Sequence, residues 1–296
     1  MVCFSLLVVL SILWLNSQAL NQKTAALERR LSQLSTPSCT VRDPWPANLT
    51  KQFPLTTAGG PRSFYVHLPA NFDTSQYYPI VVFFPGKGAS AGTGQAMSGL
   101  DSLPAITIYP EPTVGKDGAL AWQGAPYSSG ADDVQFVSDL LDKVEGQLCV
   151  QRTHVYAVGM SNGGGMVSLL SCHLSDRFAA YGIVAGALYY PDGGCKPSRP
   201  TPLINIHGDN DLVVPYFGSS IRNLPAIDNW VADRAHSNGC APAPTTEYTN
   251  VTTTVTTWQN CQDKATVQNV RLRDAGHLWA IDAPMTLWQF LSQHSL

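Results

Sequence analysis

The sequence predicts an α/β protein with a mostly parallel central sheet and helices on both faces. Short apolar, β-branched segments recur along the chain and are typical of strands, at 64–68, 79–84, 105–109, 154–158, 181–185, 202–207 and 267–272. Segments with helical spacing lie between them, and the clearest follows the capping-type pair Asp132 and Asp133 and places apolar residues of 134–144 on one face. This alternation indicates strands that are joined by helical crossovers.

Length and composition favour one catalytic domain, which we place at 39–296. The chain has 296 residues, of which 44% are hydrophobic and 13% charged, so it can bury one substantial core. Its 18 lysines and arginines are scattered and the formal net charge is -3, which gives nucleic acid no basic face to bind. The sequence shows no linker that would separate a carbohydrate-binding module.

The N-terminal residues predict export from the cell. An apolar run at 2–15 is followed by the small-residue sequence 17–19, so we expect a signal peptide at 1–19 that is cleaved after Ala19. The run is short for a bilayer span, which needs about 20 residues, and we therefore expect a secreted protein without stable membrane association. An uncleaved anchor is the alternative, because basic residues follow the run instead of preceding it. Residues 20–38 are interpreted as an N-terminal arm or pro-segment, with a candidate processing site at Arg30.

Removal of the signal with Cys3 leaves an even number of cysteines: Cys39, Cys149, Cys172, Cys195, Cys240 and Cys261. In an exported chain this indicates three disulfides with fifteen possible connectivities, and proximity suggests the pairs Cys172 with Cys195 and Cys240 with Cys261. Spacing gives no support for a structural zinc site. Sequons at Asn48 and Asn250 are candidate N-glycosylation sites.

The motif Gly159-Met160-Ser161-Asn162-Gly163 lies between the predicted strand 154–158 and a helical stretch at 164–172. This is the context of the nucleophile elbow of the α/β-hydrolase fold, in which small residues flank the serine so that strand and helix approach closely. A plain glycine-rich turn is the alternative, but the strand before and the helix after favour Ser161 as a catalytic nucleophile.

A serine hydroxyl needs a base, and His277 is the best candidate. In this fold the triad follows the chain order Ser, Asp or Glu, His, and His277 lies in a short loop between the strand 267–272 and a predicted helix at 284–291. The other histidines considered are His173 and His207 in structural segments, His236 in a helix and His294 in a frayed C-terminal tail.

The acid is expected in the loop that follows strand 202–207. Asp211 is preferred and Asp209 is the alternative, because an aspartate directly after Gly208 is typical of a turn. Asp228 in a helix and Asp274 close to His277 are weaker candidates.

Two backbone N–H groups are expected to stabilise the oxyanion. The geometry of the elbow assigns one to Asn162, and the second is expected from the loop Pro85-Gly86-Lys87-Gly88, with Lys87 preferred over Gly86. The aromatic residues Trp122, Tyr216 and Trp279 are candidates to stack on a phenolic substrate, although such residues more often pack a core.

Longer strings resemble fungal type C feruloyl esterases of carbohydrate esterase family 1, which are related to polyhydroxybutyrate depolymerases and acetyl xylan esterases. These strings are WQGAPY at 122–127, DDV at 132–134, SNGGGM at 161–166 and GHLW at 276–279, with further similarity over 207–216, 229–240 and 258–261. The resemblance covers nearly the whole chain after Cys39. Carried over by position, it places the triad of the family on Ser161, Asp211 and His277.

The resemblance implies hydrolysis of hydroxycinnamate esters of plant cell-wall polysaccharide through an acyl-serine intermediate, with no cofactor and no metal. Two positions depart from the family pattern: Pro85-Gly86 stands where His-Gly is usual, and Ala280 follows Trp279 where proline is common. Cleavage of acetyl or short hydroxyalkanoate esters is the alternative activity. A non-catalytic binding module on a hydrolase fold is a remote alternative, because such a module has no need to retain all three triad groups.

Overall fold

A ten-stranded sheet forms the centre of the computed structural model, which describes residue 41, residues 45–191 and residues 193–296. The predicted signal peptide, the arm at 20–38 with Arg30, and the cysteines Cys3 and Cys39 lie outside the described residues. One compact unit accounts for the described part of the chain.

The sheet has the strand order β1-β2-β4-β3-β7-β8-β9-β12-β11-β10. Its strands are β1 (Thr50–Thr57), β2 (Gly60–His67), β3 (Tyr78–Phe84), β4 (Ile106–Pro110), β7 (Val150–Met160), β8 (Ala180–Val184), β9 (Leu203–Gly208), β10 (Thr245–Asn250), β11 (Thr253–Trp258) and β12 (Val267–Leu272), and a separate pair is β5 (Thr113–Val114) with β6 (Leu120–Ala121). The six strands from β4 to β12 are parallel, and two antiparallel strands extend the sheet on each side. The mostly parallel sheet is therefore confirmed.

Most of the predicted strands are buried on both faces. Every residue of β8 and β9 is buried, which gives the continuous apolar runs of a central parallel strand. Among the strands that the sequence analysis did not identify, β10 and β11 are rich in threonine, and all six residues of β10 are exposed. Threonine favours extended backbone, but these strands lack the apolar run that marks a core strand.

Five α-helices occur among the described residues: α1 (Ala91–Ser98), α2 (Asp133–Glu145), α3 (Asn162–His173), α4 (Ile227–Ser237) and α5 (Ala283–Leu291). The capping role of the Asp132 segment is confirmed, because the Asp132 carboxylate accepts from the Gln135 N–H at 3.0 Å. None of these helices is long and apolar enough to cross a membrane.

Strand β12 shows how the helices cover both faces of the sheet. Asn269 donates from its side chain to Asp228 on α4 at 2.9 Å. The alternate residues Val270 and Leu272 line a cleft against α5 instead. Because neighbouring side chains of a strand point to opposite faces, α4 and α5 lie on opposite sides of the sheet.

Both disulfides suggested by proximity are present, Cys172–Cys195 and Cys240–Cys261. Cys149 is also disulfide-bonded. The first bridge ties the end of α3 to the segment before β9, and the second ties the end of α4 to the segment after β11.

The C-terminal residues are docked against the sheet, so the expectation of a frayed tail at His294 is wrong. The Tyr156 hydroxyl donates to the His294 carbonyl at 3.0 Å, and the imidazole Nε2 of His294 lies 3.0 Å from Thr266 Oγ1. Burial, with a smaller contribution from Arg199, lowers the pKa of His294 to about 4.

Candidate active site

The three residues proposed as a triad follow the carboxyl ends of parallel strands. Ser161 comes directly after β7, Asp211 lies in the loop after β9, and His277 lies in the loop after β12. These strands are close neighbours in the order β7-β8-β9-β12, so all three residues lie at the same edge of the sheet. Ligands of open α/β sheets bind at this edge.

Ser161 occupies a strained turn between β7 and α3. Its backbone has φ 55° and ψ -121°, a conformation that costs a non-glycine residue about 1–3 kcal/mol. Hydrogen bonds hold it in place: its N–H donates to the Val184 carbonyl at 2.9 Å, and its carbonyl accepts from Gly165 N–H at 3.1 Å and Ala187 N–H at 2.8 Å. The side chain is partly exposed at the edge of the sheet.

The two glycines that flank the serine are required by close backbone contact. A Cβ atom on Gly159 would collide with the Gly163 carbonyl, and one on Gly163 would collide with the Phe84 carbonyl on β3. The helix α3 therefore starts directly against the neighbouring strand. The structure thus gives a physical reason for the residue spacing of the motif.

His277 and Asp211 form a short, oriented pair. The imidazole Nδ1 lies 2.7 Å from Asp211 Oδ2, within the range of a charge-assisted hydrogen bond. The other carboxylate oxygen accepts from the Val213 and Val214 N–H groups at 2.8 Å each. The Asp211 side chain is fully buried, whereas the His277 side chain is 17% exposed, so only the histidine of this pair is open to a substrate.

A second histidine, His207, supports the same carboxylate. Its Nε2 lies 2.9 Å from the Val214 carbonyl and 3.3 Å from Asp211 Oδ2, and because both are acceptors, Nε2 must carry the proton. The sequence analysis assigned His207 only to a structural segment. The sequence feature that could have indicated this contact is the four-residue spacing of His207 and Asp211 across the turn after β9.

The environment of Asp211 keeps it ionised. Burial would raise the pKa of its carboxyl, but hydrogen bonds from His207, His277 and the Val214 N–H outweigh burial and hold the pKa at about 2. An ionised acid in this position can stabilise an imidazolium on His277.

Asp209, the alternative acid, has other partners. Its Oδ2 accepts from Arg271 Nε at 3.0 Å, and its Oδ1 accepts from the Asp274 N–H at 2.7 Å. The interpretation of Asp209 as a plain turn former is therefore wrong: it ties the loop after β9 to the loop that carries His277. These contacts leave Asp211 as the carboxylate that meets the histidine.

The predicted oxyanion loop 85–88 lies against the serine. A Cβ atom on Gly86 would lie 3.2 Å from Ser161 Cβ, and the Gly88 N–H is already used, because it donates to the Leu120 carbonyl at 2.8 Å. Within the described part of the chain, the Lys87 N–H has no acceptor. Asn162 is the first residue of α3, and such N–H groups have no acceptor within their helix.

Trp122 and Tyr216 are buried, so the expectation that they stack on a substrate is wrong. Trp122 instead fixes the oxyanion loop, because its Nε1 donates to the Pro85 carbonyl at 3.0 Å. The Tyr216 hydroxyl donates to Asp228 at 2.6 Å. Trp279 is only partly buried, but its Nε1 donates to the Ser98 carbonyl at 3.0 Å and its ring forms a T-shaped pair with that of Phe83.

A cleft of about 560 Å³ is lined in part by Leu169 of α3, and two tyrosines that the sequence analysis did not select lie along it. These are Tyr189, which is half-buried, and Tyr190, which is exposed. An inner recess of about 20 Å³ shares Tyr189 and Leu169 with the cleft and reaches Asn162, directly after the serine. Burial raises the pKa of Tyr189, so its hydroxyl stays neutral.

The chain is similar to known feruloyl esterases. It is 30% identical over 251 residues to feruloyl esterase B of Piromyces equi, which covers 79% of this chain and 46% of that protein. It is 30% identical over 165 residues to a probable feruloyl esterase C of Aspergillus clavatus, which covers 53% of this chain and 57% of that protein. The chain spans about half the length of these relatives. The resemblance to feruloyl esterases is confirmed.

The fold is shared with a solved structure, the acetyl xylan esterase from Aspergillus awamori. The TM-score is 0.63 at 15% identity, and the alignment covers 82% of this chain and 99% of that chain. This structural similarity shows the α/β-hydrolase fold that the serine motif predicted. No protein-family model matches the sequence.

Proposed function

We propose that this chain is a secreted serine carboxylic-ester hydrolase that releases ferulic or related hydroxycinnamic acids from plant cell-wall polysaccharide. The observation that carries the proposal is the 2.7 Å pair of His277 Nδ1 and Asp211 Oδ2, at the sheet edge where Ser161 occupies its strained turn. Ser161 is the nucleophile, His277 the base and Asp211 the orienting acid. The names of the sequence relatives support the substrate class.

The reaction follows from the roles of these groups. Ser161 Oγ attacks the ester carbonyl carbon while His277 Nε2 takes the hydroxyl proton. The C–O bond to the sugar then breaks, the sugar oxygen takes the proton from His277, and the acyl group remains on the serine. A water molecule next attacks the carbonyl carbon of this acyl-serine while His277 Nε2 takes its proton. The bond from that carbon to Ser161 Oγ then breaks, Oγ takes the proton back from His277, and the free acid leaves. Asp211 keeps the imidazole in the tautomer that accepts the proton.

The negative charge of each tetrahedral intermediate is assigned to the N–H groups of Asn162 and Lys87. Asn162 stands at the N-terminus of α3, where the helix dipole favours an anion. Lys87 belongs to the loop that Trp122 fixes, so its N–H is oriented before the substrate arrives.

The aromatic acyl group is assigned to the cleft with Tyr189 and Tyr190. Aromatic side chains favour planar rings, and the inner recess that shares Tyr189 with this cleft reaches Asn162, the residue that follows the nucleophile. Acetyl-ester cleavage is the second candidate, and the small inner recess at Asn162 favours it, because a recess of about 20 Å³ suits a short acyl group.

Initial rates on four substrates test the choice: methyl ferulate, methyl sinapate, acetylated xylan and a short hydroxyalkanoate ester. We expect the highest kcat/KM on a hydroxycinnamate ester. A preference for acetylated xylan supports the second candidate, and a lack of hydrolysis of all four contradicts the esterase proposal. The Ser161→Ala protein, measured in parallel, excludes a contaminating activity.

Export is supported by the two disulfides and by the exposure of both sequon residues, Asn48 and Asn250. N-terminal sequencing of protein collected from culture medium tests it. We expect a mature chain that starts at Leu20 or, after removal of the arm, close to Leu31. Retention of Met1 in cell membranes contradicts secretion.

A further inference from the structure

A second cleft, of about 480 Å³, opens between α5 and the outer strands of the sheet. Ten of its eighteen lining residues carry a hydroxyl or carboxamide group, and only Asp282 is charged. About a quarter or more of the residues on an ordinary protein surface are charged. The composition of this cleft is therefore neutral but rich in hydrogen-bonding groups.

The floor of the cleft is apolar. Val255, Val270 and Leu272 line it and pack on the main hydrophobic core. A surface with an apolar floor and neutral polar walls matches a pyranose sugar, which has apolar C–H faces and a rim of hydroxyl groups. Nucleic acids and other polyanions would need cationic side chains, which the lining of this cleft lacks.

Several of the polar side chains are not used within the fold. Thr257 and Gln268 face each other across β11 and β12, and Thr253 lies further along β11. No hydrogen bond joins any of these three side chains to another residue in the part of the chain that the structure describes. Their hydrogen-bonding capacity is available to a molecule in the cleft.

One end of the cleft lies beside the loop that carries the proposed base, because Leu272 and Ala280, on either side of His277 in the sequence, both line it. The cleft follows β12 from Thr266 to Leu272, a length of about 20 Å at the rise of an extended strand. Leu272 ends β12 at the edge from which the loop with His277 starts. A chain bound along the cleft would therefore pass close to the proposed base.

We propose that this cleft binds the neutral backbone of the polysaccharide substrate, a xylan-type chain, while the ester reaches Ser161. This inference rests on the proposed function, since it names the part of the substrate that lies beyond the ester. The polymer would then be bound in this cleft, and the acyl group in the separate cleft with Tyr189 and Tyr190.

The test compares the native protein with the variant Thr253→Val/Thr257→Val/Gln268→Met. Valine keeps the β-branched shape of threonine, so the strand is preserved while the hydroxyl groups are removed. The matched control is Thr254→Val/Thr256→Val, which changes the opposite face of the same strand. Calorimetric titration with ester-free xylan oligosaccharides measures binding, and the thermal midpoint checks that each variant is folded.

We expect the cleft variant to bind xylan oligosaccharides at least about tenfold more weakly, because three hydrogen-bonding groups are lost. Its KM on feruloylated xylan should rise by a similar factor, while kcat/KM on methyl ferulate stays unchanged. The control should match the native protein in all three measurements.

Native-like xylan binding by the cleft variant overturns the inference. So does a native protein that hydrolyses methyl ferulate but has no measurable affinity for ester-free xylan. Failure to hydrolyse any small ester contradicts only the proposed function, because binding of the ester-free polymer is measured without catalysis.

Discussion

His207 Nε2 lies 3.3 Å from Asp211 Oδ2, the carboxylate oxygen that also meets His277. The second histidine is buried and donates to Asp211 and to the Val214 carbonyl from the same nitrogen. It therefore contacts the same carboxylate oxygen as the proposed base. We therefore expect His207 to position Asp211 for the proposed chemistry.

Replacement of His207 tests that role. We expect His207→Phe to lower kcat roughly 10-fold to 100-fold with little change in KM, because a hydrogen bond to a charged group contributes about 1.5–3 kcal/mol. His207→Gln retains an N–H donor and should lose less. Steady-state kinetics on methyl ferulate give both parameters, and equal kcat for the phenylalanine variant and the native protein would remove His207 from the mechanism.

The nucleophile is tested by Ser161→Ala. The hydroxyl is partly exposed at a turn, so its loss opens no core cavity, and we expect the fold to be intact while ester hydrolysis disappears. Binding and the oxyanion donors alone can leave catalysis of about 10³-fold over water. Turnover close to the native rate in a folded Ser161→Ala protein would place the active site elsewhere.

The two aspartates of the loop after β9 should respond differently to amide substitution. We expect Asp211→Asn to lower turnover by about 10⁴-fold, the loss associated with a wrong imidazole tautomer. Asp209→Asn should lower turnover by less than about tenfold and reduce stability only slightly, because its partner Arg271 is 39% exposed and such ion pairs contribute about 0–1 kcal/mol. If the Asp209 variant is the inactive one, the acid has been assigned wrongly.

The serine turn has no space for a methyl group at Gly163. A Cβ atom there would collide with the backbone of β3, so we expect Gly163→Ala to abolish soluble, folded protein. Gly92→Ala is the matched control, because a Cβ atom at Gly92 in α1 meets only Ser90 Oγ at 3.9 Å and alanine favours a helix. Expression and thermal unfolding compare the two, and a stable Gly163→Ala protein would contradict the backbone contact.

His294 should make the fold sensitive to acid. Its pKa is lowered from 6.5 in the unfolded chain to about 4 in the folded one, so the unfolded state binds the proton more readily between these pH values. Its contribution to stability is present above pH 6.5 and is lost as the pH falls towards 4, by at most about 3 kcal/mol. Denaturant unfolding at pH 4.5 and 7.5 measures this, and His294→Phe should reduce the difference; an unchanged pH dependence would contradict the assignment.

The sequence alone determined the parallel core of this protein and limited the proposed catalytic groups to a few positions. The central strands are buried on both faces, so their apolar runs mark them without tertiary information. The elbow is equally local, because Gly159 and Gly163 are dictated by contacts within one strand–turn–helix unit and the strand beside it. The chain order of the proposed triad then limits the choice of base and acid.

Only the tertiary structure decided which polar and aromatic residues serve which purpose. The choice between Asp209 and Asp211 depends on partners more than 60 positions away, Arg271 and His277, and no local pattern reports them. Trp122 is of a residue type that often binds aromatic ligands, but it is buried against the loop at Pro85, which lies 37 positions earlier. The strands β10 and β11 and the cleft beside them were missed for a related reason. Their threonine-rich sequence has no alternation of apolar and polar residues that would indicate a strand. The cleft forms only when β11 pairs with β12.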